Sequence, residues 1–350
     1  PLSLAVSLTC AVLAAPAPAA VLEELVVTAQ KREQSLQDVG VSVTAFSGEQ
    51  VRELGFTNTV DVVSFTPGLN YTVPNAEGSQ INFFLRGVGL NDFADANENP
   101  VGAYFDEVYR GAMGGLHLQM FDMDRVEVLR GPQGTLYGRN TTGGLVHFIS
   151  KKPTDNFEGY GQVSVGEYDQ VKFEGAVSGP LVKDTLLGRL SVATNNDSGY
   201  VDNRFPGGQD YNETDSYAGR GQLLWRATED AEVLFKVHHA RNDSAVGAWQ
   251  HQTSLAIDGG DDRRNVGPTE DPYGTCPGCD AFGYVDSDGD PWAGDYNRDG
   301  TVKVEASGVS GKIDWQIRDG LKLVNILAFD HVDRLQEEDT DAGPNPFIEP

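Results

Sequence analysis

The chain has 350 residues, 41 of them Gly, and its 52 acids outnumber its 26 Lys and Arg for a net charge of −26. That length can bury a sizeable core, while the acidity argues against a nucleic-acid binder, which needs a basic face, and disfavours self-association near neutral pH. Past residue 23 no run of about 18 apolar residues occurs, so no membrane-spanning helix is expected; a membrane β-barrel stays open, because its alternating residues vanish in a mean hydropathy of −0.35.

Residues 2–20 (LSLAVSLTCAVLAAPAPAA) are apolar or small, uncharged, and end in A-x-A repeats at Ala15, Ala17 and Ala19. They read as the core and cleavage site of a secretory signal, cut short at its start. A short membrane anchor is the alternative, and Thr9 before Cys10 does not suit lipid attachment. An exported chain can form disulfides. Val21–Ala29 is extended-prone, with two acids and β-branched residues. Residues 41–46 (VSVTAF) alternate as a strand. Ser47 with Gln50 forms a capping-box pattern before a short helix ended by Gly55. A second helix near Thr59–Phe65 stops at Pro67-Gly68. Residues 81–86 are a strand, 101–110 a β-hairpin, and 125–150 alternate strand-like pieces with Gly turns. Together, about 30–150 make a small mixed α+β unit.

After Pro153 the period changes to two. Val171, Phe173 and Val177 oppose Lys172, Glu174 and Ser178; Tyr217, Leu223 and Trp225 oppose Arg220, Gln222 and Arg226; Val233, Phe235 and Val237 oppose Glu232, Lys236 and His238. Strands are expected near 157–166, 171–178, 185–195, 217–226, 231–239, 304–317 and 321–332. From the second connection onward, short and long links alternate, ending with the very long 241–303. Tight turns on one side and long loops on the other suit a membrane barrel; a soluble sandwich has no such requirement.

Residues 125–153 (RVEVLRGPQGTLYGRNTTGGLVHFISKKP) resemble the plug domain of TonB-dependent outer-membrane receptors, with Gly131, Pro132, Gly134, Gly138, Gly143 and Gly144 where that family has them. Residues 61–69 (DVVSFTPGL), 85–88 (LRGV) and 104–107 (YFDE) follow the plug's order of elements, and 24–29 (ELVVTA) resembles the TonB box. The likeness covers roughly residues 21–240. It implies residues 1–20 as signal peptide, 21–35 as TonB box and linker, 36–153 as an α+β plug, and 154–350 as antiparallel transmembrane strands. Barrels of this kind have about 22 strands, of which this chain supplies about seven and stops in mid-barrel; such a piece, alone, is expected to aggregate.

The resemblance further implies an outer-membrane receptor that is not an enzyme, and no G-x-S-x-G, H-E-x-x-H or Cys–His pairing contradicts it. Glu24, Leu25, Val26, Val27, Thr28 and Ala29 would add as a strand to TonB, the partner energised by an inner-membrane complex. Val27→Pro is expected to abolish energised uptake and spare ligand binding. Arg86 and Arg130 would lock the plug to barrel glutamates. The expected cargo is a ferric siderophore, with cobalamin, haem and oligosaccharides as alternatives, held by residues 71–79, 90–99, 110–117 and 241–303. No cofactor is required. A passive porin or a secreted calcium-binding adhesin is the rival class, and neither needs a plug.

Residues 258–299 hold eleven acids against three bases. Asp295-x-Asn297-x-Asp299-Gly300 matches half of an EF-hand loop, and Asp286, Asp288 and Asp290 form a second oxygen-rich cluster, which makes Ca²⁺ a candidate against a merely solvated loop. Position twelve is Ala306 rather than Glu. Cys276 and Cys279 (CPGC) are expected to form a local disulfide, since a zinc site needs two further ligands. His238, His239 and His251 suggest a haem or metal ligand as a weaker alternative, since His238 and His239 point to opposite faces of a strand and cannot cooperate simply.

Overall fold

A computed structural model describes residues 25–32, 34–73, 81–92, 97–111, 120–245, 248–251, 255–257, 263–286, 289–340 and 342–346. The expected signal segment lies outside them. The first unit is built on β1 (Val26–Val27), β2 (Gln34–Ser35), β3 (Ser42–Ser47), β4 (Leu69–Thr72), β5 (Asn82–Leu85), β6 (Val101–Phe105), β7 (Val108–Tyr109), β8 (Met123–Arg130) and β9 (Gly144–Ser150), with helices α1 (Gly48–Glu53), α2 (Asp61–Ser64) and α3 (Gly134–Tyr137). Its five-stranded sheet runs β3-β8-β9-β6-β7, with β6 and β9 parallel and the other pairs antiparallel.

Strand alternation splits this sheet into two buried faces. Val126, Val128, Val146 and Phe148 pack one face against Val51 of α1 and Val62 of α2. Leu129, Leu145 and Tyr104 pack the other against Val27, Ala29 and Tyr137. Helix α1 starts as its sequence predicts: Ser47 Oγ accepts from Gln50 N (3.2 Å) and Gln50 Oε1 accepts from Ser47 N (3.0 Å). The plug-like glycines turn the chain around α3. Gly131 and Gly138 have positive φ, Gly134 opens the helix, and Gly143-Gly144 enters β9. At Gly144 φ is +137°, and a Cβ would stand 2.3 Å from Leu129 O, so only Gly fits there.

Beyond Pro153, seven strands pair consecutively and antiparallel: β10 (Glu158–Val165), β11 (Val171–Val182), β12 (Leu186–Asp197), β14 (Thr214–Thr228), β15 (Ala231–Ser244), β19 (Thr301–Arg318) and β20 (Leu321–Glu337). Between them, β13 (Asp202–Asn203) pairs with β18 (Ala293–Gly294), and β16 (Leu255–Ile257) with β17 (Arg263–Asn265). All seven expected strands are present. Six of them run longer than expected and β10 is slightly shorter, and the long connection shrinks from 241–303 to 245–300; the polar tail Arg241–Ser244 continues the ladder opposite Val302–Glu305. One rim carries residues 166–170, 198–213 and 245–300, and the other only the tight turns 183–185, 229–230 and 319–320.

The two faces of this sheet are inverted relative to a soluble protein. Phe157, Val163, Leu190, Trp225, Leu327 and Phe329 stand exposed on one face, whereas Arg189, Arg220, Gln222 and Lys236 are buried on the other. An apolar exterior over a polar interior is the pattern of a wall facing lipid. No helix among the described residues is long and apolar enough to cross a membrane.

Candidate functional site

The polar inner face of the sheet grips the first unit, and its basic side chains meet acids of that unit. Asp106 and Glu107 form the turn between β6 and β7, both with positive φ (48° and 71°). They point to different strands of the wall. Asp106 Oδ2 lies 2.8 Å from Lys236 Nζ on β15 and also accepts from Ser150 Oγ (2.8 Å). Glu107 Oε1 lies 2.5 Å from Lys312 Nζ on β19. Burial opposes ionisation of Asp106, yet Lys236 and Arg220 hold its carboxyl well below the usual range.

A second grip forms at Asp122, just before β8. Its carboxylate takes Arg189 Nη2 at 2.6 Å and Nε at 2.7 Å, with both side chains almost fully buried. Ser191 Oγ also donates to it. Burial pushes this carboxyl up, but the hydrogen bonds from Arg189 and Ser191 bring it below its ordinary value. Next to it, Phe121 packs with Ala218, Ala240, Val302 and Val304 of the wall, and the Arg220 guanidinium lies 4.4 Å from its ring centroid. Arg110 reaches Asp330 on β20.

The expected lock at Arg86 and Arg130 finds no barrel glutamate among the described residues. Among the described residues their side chains bond within the first unit: Arg86 Nη2 donates to Ser42 Oγ (3.4 Å), and Arg130 donates to Thr44 Oγ1 (2.7 Å) and Pro67 O (3.3 Å). The missed residues had a readable signal. Lys236 and Arg220 sit on the polar face of predicted strands with few acids beside them, and a buried base needs an anion.

The TonB-box-like segment is already folded. Glu24 lies outside the described residues; Leu25 is half-buried, and Val26–Val27 pair with Gln34–Ser35. Val27 and Ala29 are fully buried. Thr28 N donates to Glu127 Oε1 (2.8 Å), and Tyr137 Oη donates to Thr28 O (3.2 Å). Val27 thus holds the segment in place, which makes Val27→Pro an ambiguous test; Val26, 44% exposed, is the cleaner position. Beyond the segment, Lys31 Nζ lies 3.6 Å from Glu107 Oε2 and 4.3 Å from the Tyr137 ring centroid. Glu107 therefore joins the segment to Lys312 of the wall. Glu107→Gln is expected to destabilise the first unit by about 2 kcal/mol, read as a lower calorimetric transition, with the loss shrinking when Lys312→Met is already present.

His147 on β9 is buried, and its Nε2 accepts from Glu107 N (3.0 Å). Burial, reinforced by Lys31, lowers its pKa to about 3, against Asp106. The unfolded chain takes up this proton near pH 6.5 and the folded one only near 3. Stability is therefore full above pH 6.5 and falls by about 1.4 kcal/mol per pH unit below it. Calorimetry between pH 7 and 4 should show that slope reduced in His147→Gln, which keeps an acceptor for Glu107 N.

In the long loop the sulfurs of Cys276 and Cys279 are bonded. The acids converge on a guanidinium: Arg204 lies 3.1 Å from Asp286 and 3.3 Å from Asp295. Asp299 Oδ1 accepts from Gln209 N (2.9 Å), Asn297 N donates to Asp339 (3.0 Å), and Asp290 Oδ1 accepts from Trp292 N (2.9 Å). Asp288 lies outside the described residues. Among the described residues no three His, Cys, Asp or Glu side chains gather as metal ligands. His251 bonds Asp280, and His238 bonds Asp330.

Comparison with known proteins agrees with this architecture. The TonB-dependent receptor plug domain family matches residues 35–145. The pesticin receptor of Yersinia pestis is 29% identical over 200 residues, covering 57% of this chain and 29% of that protein. The ferripyoverdine receptor of Pseudomonas aeruginosa is 31% identical over 162 residues, covering 46% and 19%. The chain thus spans less than a third of the length of these relatives. The crystal structure of the ferric yersiniabactin uptake receptor FyuA from Yersinia pestis superposes with a TM-score of 0.68 at 20% identity, over 85% of this chain and 42% of that one.

Proposed function

We propose, on the premise that this chain carries the plug domain and first part of the β-barrel of a TonB-dependent receptor, that it takes up a ferric siderophore across a bacterial outer membrane. The observation that carries this reading is the position of the segment Leu25–Ala29, docked on the plug and joined through Lys31 and Glu107 to the barrel wall. Strand addition to a TonB-type partner needs the backbone edge of Val26–Val27, which β2 occupies in this state. Exchanging one partner strand for the other draws Lys31 away from Glu107. Glu107 is then held by Lys312 alone, and the segment is no longer tied to the wall. The siderophore part of the reading is supported by the names of similar proteins, a ferripyoverdine receptor and a ferric yersiniabactin uptake receptor.

The test is growth of a receptor deletion strain on a panel of iron, cobalamin, haem and glycan sources. Restored growth on a ferric siderophore, dependent on TonB, is expected. Growth restored only on a non-iron source, or equally well without TonB, would refute the reading.

A further inference from the structure

Thr28 of the docked segment is held at every polar atom it carries. Its N–H donates to Glu127 Oε1 (2.8 Å), and its hydroxyl donates to the same oxygen (3.2 Å). Arg125 Nη2 donates to Thr28 Oγ1 (3.1 Å), and Thr28 O accepts from Tyr137 Oη (3.2 Å) and from Lys31 N (2.9 Å). Glu127 and Arg125 share one face of β8, and Arg125 Nε also donates to Glu127 Oε1 (2.8 Å). All the bonds of this carboxylate are thus on Oε1; Oε2 is enclosed and has no hydrogen-bond partner among the described residues.

Glu127 is fully buried, on the sheet face where Leu129, Leu145 and Tyr104 pack under Val27, Ala29 and Tyr137. A carboxylate there loses its hydration, a cost that an apolar side chain in the same layer would not meet. What the carboxylate adds is a directed, charge-assisted grip on a backbone N–H, with Arg125 supplying the compensating charge. The grip falls on the residue that follows Val26–Val27, whose strand edge β2 covers. Docking and strand addition on that edge therefore exclude each other. A partner's apparent dissociation constant is then its intrinsic one divided by the fraction of receptor whose segment is free.

We infer that Glu127 is a positioning residue for energy coupling: with Arg125 it holds Thr28, and through Thr28 the segment, on the plug, and so sets how tightly a TonB-type partner binds the ligand-free receptor. This rests on the coupling reading above and adds the residue that governs it. Glu127 is enclosed by the plug and meets no partner itself, so a change there acts by freeing the segment. When the segment leaves, Oε1 loses both donors of Thr28 and keeps Arg125. Water reaches the carboxylate in their place, so undocking exchanges bonds and strands no charge.

The test titrates the periplasmic C-terminal domain of TonB into the detergent-solubilised, ligand-free receptor and into a free peptide of residues 21–32. The peptide has no plug to dock on and gives the intrinsic affinity. Binding to the unmodified receptor is expected to be about tenfold or more weaker than to the peptide. Glu127→Gln, which keeps the shape and an acceptor for Thr28 N, should close most of that gap. Val128→Ala, on the opposite face of the same strand, loosens the plug without touching the segment and should leave the affinity unchanged. Glu127→Gln binding no tighter than the unmodified receptor, or Val128→Ala tightening binding as much, would overturn the inference. Equal affinities of peptide and unmodified receptor would overturn it with no variant needed, and all three results leave the uptake reading standing. No binding of the domain to peptide or receptor would overturn both.

Discussion

Asp122→Asn should lower the stability of the plug by about 3–5 kcal/mol, because it strands the Arg189 charge in a site that is almost fully buried. Asn is the gentlest replacement available. It matches the shape of Asp and tolerates the positive φ of 51° at this position better than other neutral residues. One guanidinium N–H can still reach the amide oxygen, so the loss comes from charge rather than from a cavity. Glu158, 3.0 Å from Arg189 Nη1, is half exposed and cannot replace the buried partner. Calorimetry of the detergent-solubilised protein should show the plug transition shifted down. The double variant Asp122→Asn/Arg189→Met should recover most of the loss, since no buried charge then remains. A change below about 1 kcal/mol in the single variant would mean that the two residues do not hold plug and wall together.

Val26→Pro should abolish energised uptake while leaving equilibrium ligand binding within about twofold. Proline removes a backbone N–H and fixes φ, so the segment can no longer present an unbroken strand edge to a partner. Val26 projects outward from the plug, whereas Val27 and Ala29 fill its core, so the substitution leaves the buried anchor in place. Thr28, held by Glu127 and Tyr137, keeps its partners as well. Transport of ⁵⁵Fe-labelled ligand, set beside a binding isotherm on the same membranes, separates the two effects. Normal uptake in the variant would remove Leu25–Ala29 from energy coupling. Loss of binding together with uptake would show that the segment is a structural strap of the plug.

Local features of this molecule were legible from the residues, and contacts between distant segments were not. The Ser47–Gln50 capping box sets the start of α1 through atoms three residues apart. Period-two alternation located the seven wall strands, because burying one face constrains every second residue. Alternation also separated the lipid-side Trp225 and Phe235 from the inward Arg220 and Lys236. What it could not supply was the partner of each inward base. Asp122 and Arg189 are 67 positions apart, and Glu107 and Lys312 are 205 apart. No periodicity links such residues; only the seating of one unit on the other does. Arg86 and Arg130 stand in the L-R-G stretches that carry the family resemblance, and among the described residues they bond Ser42 and Thr44 of the plug's own β3. Nor could alternation supply the partner of the loop acids: Asp286 and Asp295 lie against the Arg204 guanidinium, 82 and 91 positions away.

Energised release of cargo requires a plug seated against the inner face of the strand wall, and photo-crosslinking tests that seating directly. Phe121→p-benzoylphenylalanine places a photoreactive ring where Phe121 meets Ala218, Ala240 and Val302. Irradiation of intact outer membranes should join position 121 to peptides from Thr214–Thr228, Ala231–Ser244 and Thr301–Arg318, identified by mass spectrometry. Adducts confined to peptides from residues 34–150, with none to the wall strands, would contradict the seating and with it the transport mechanism.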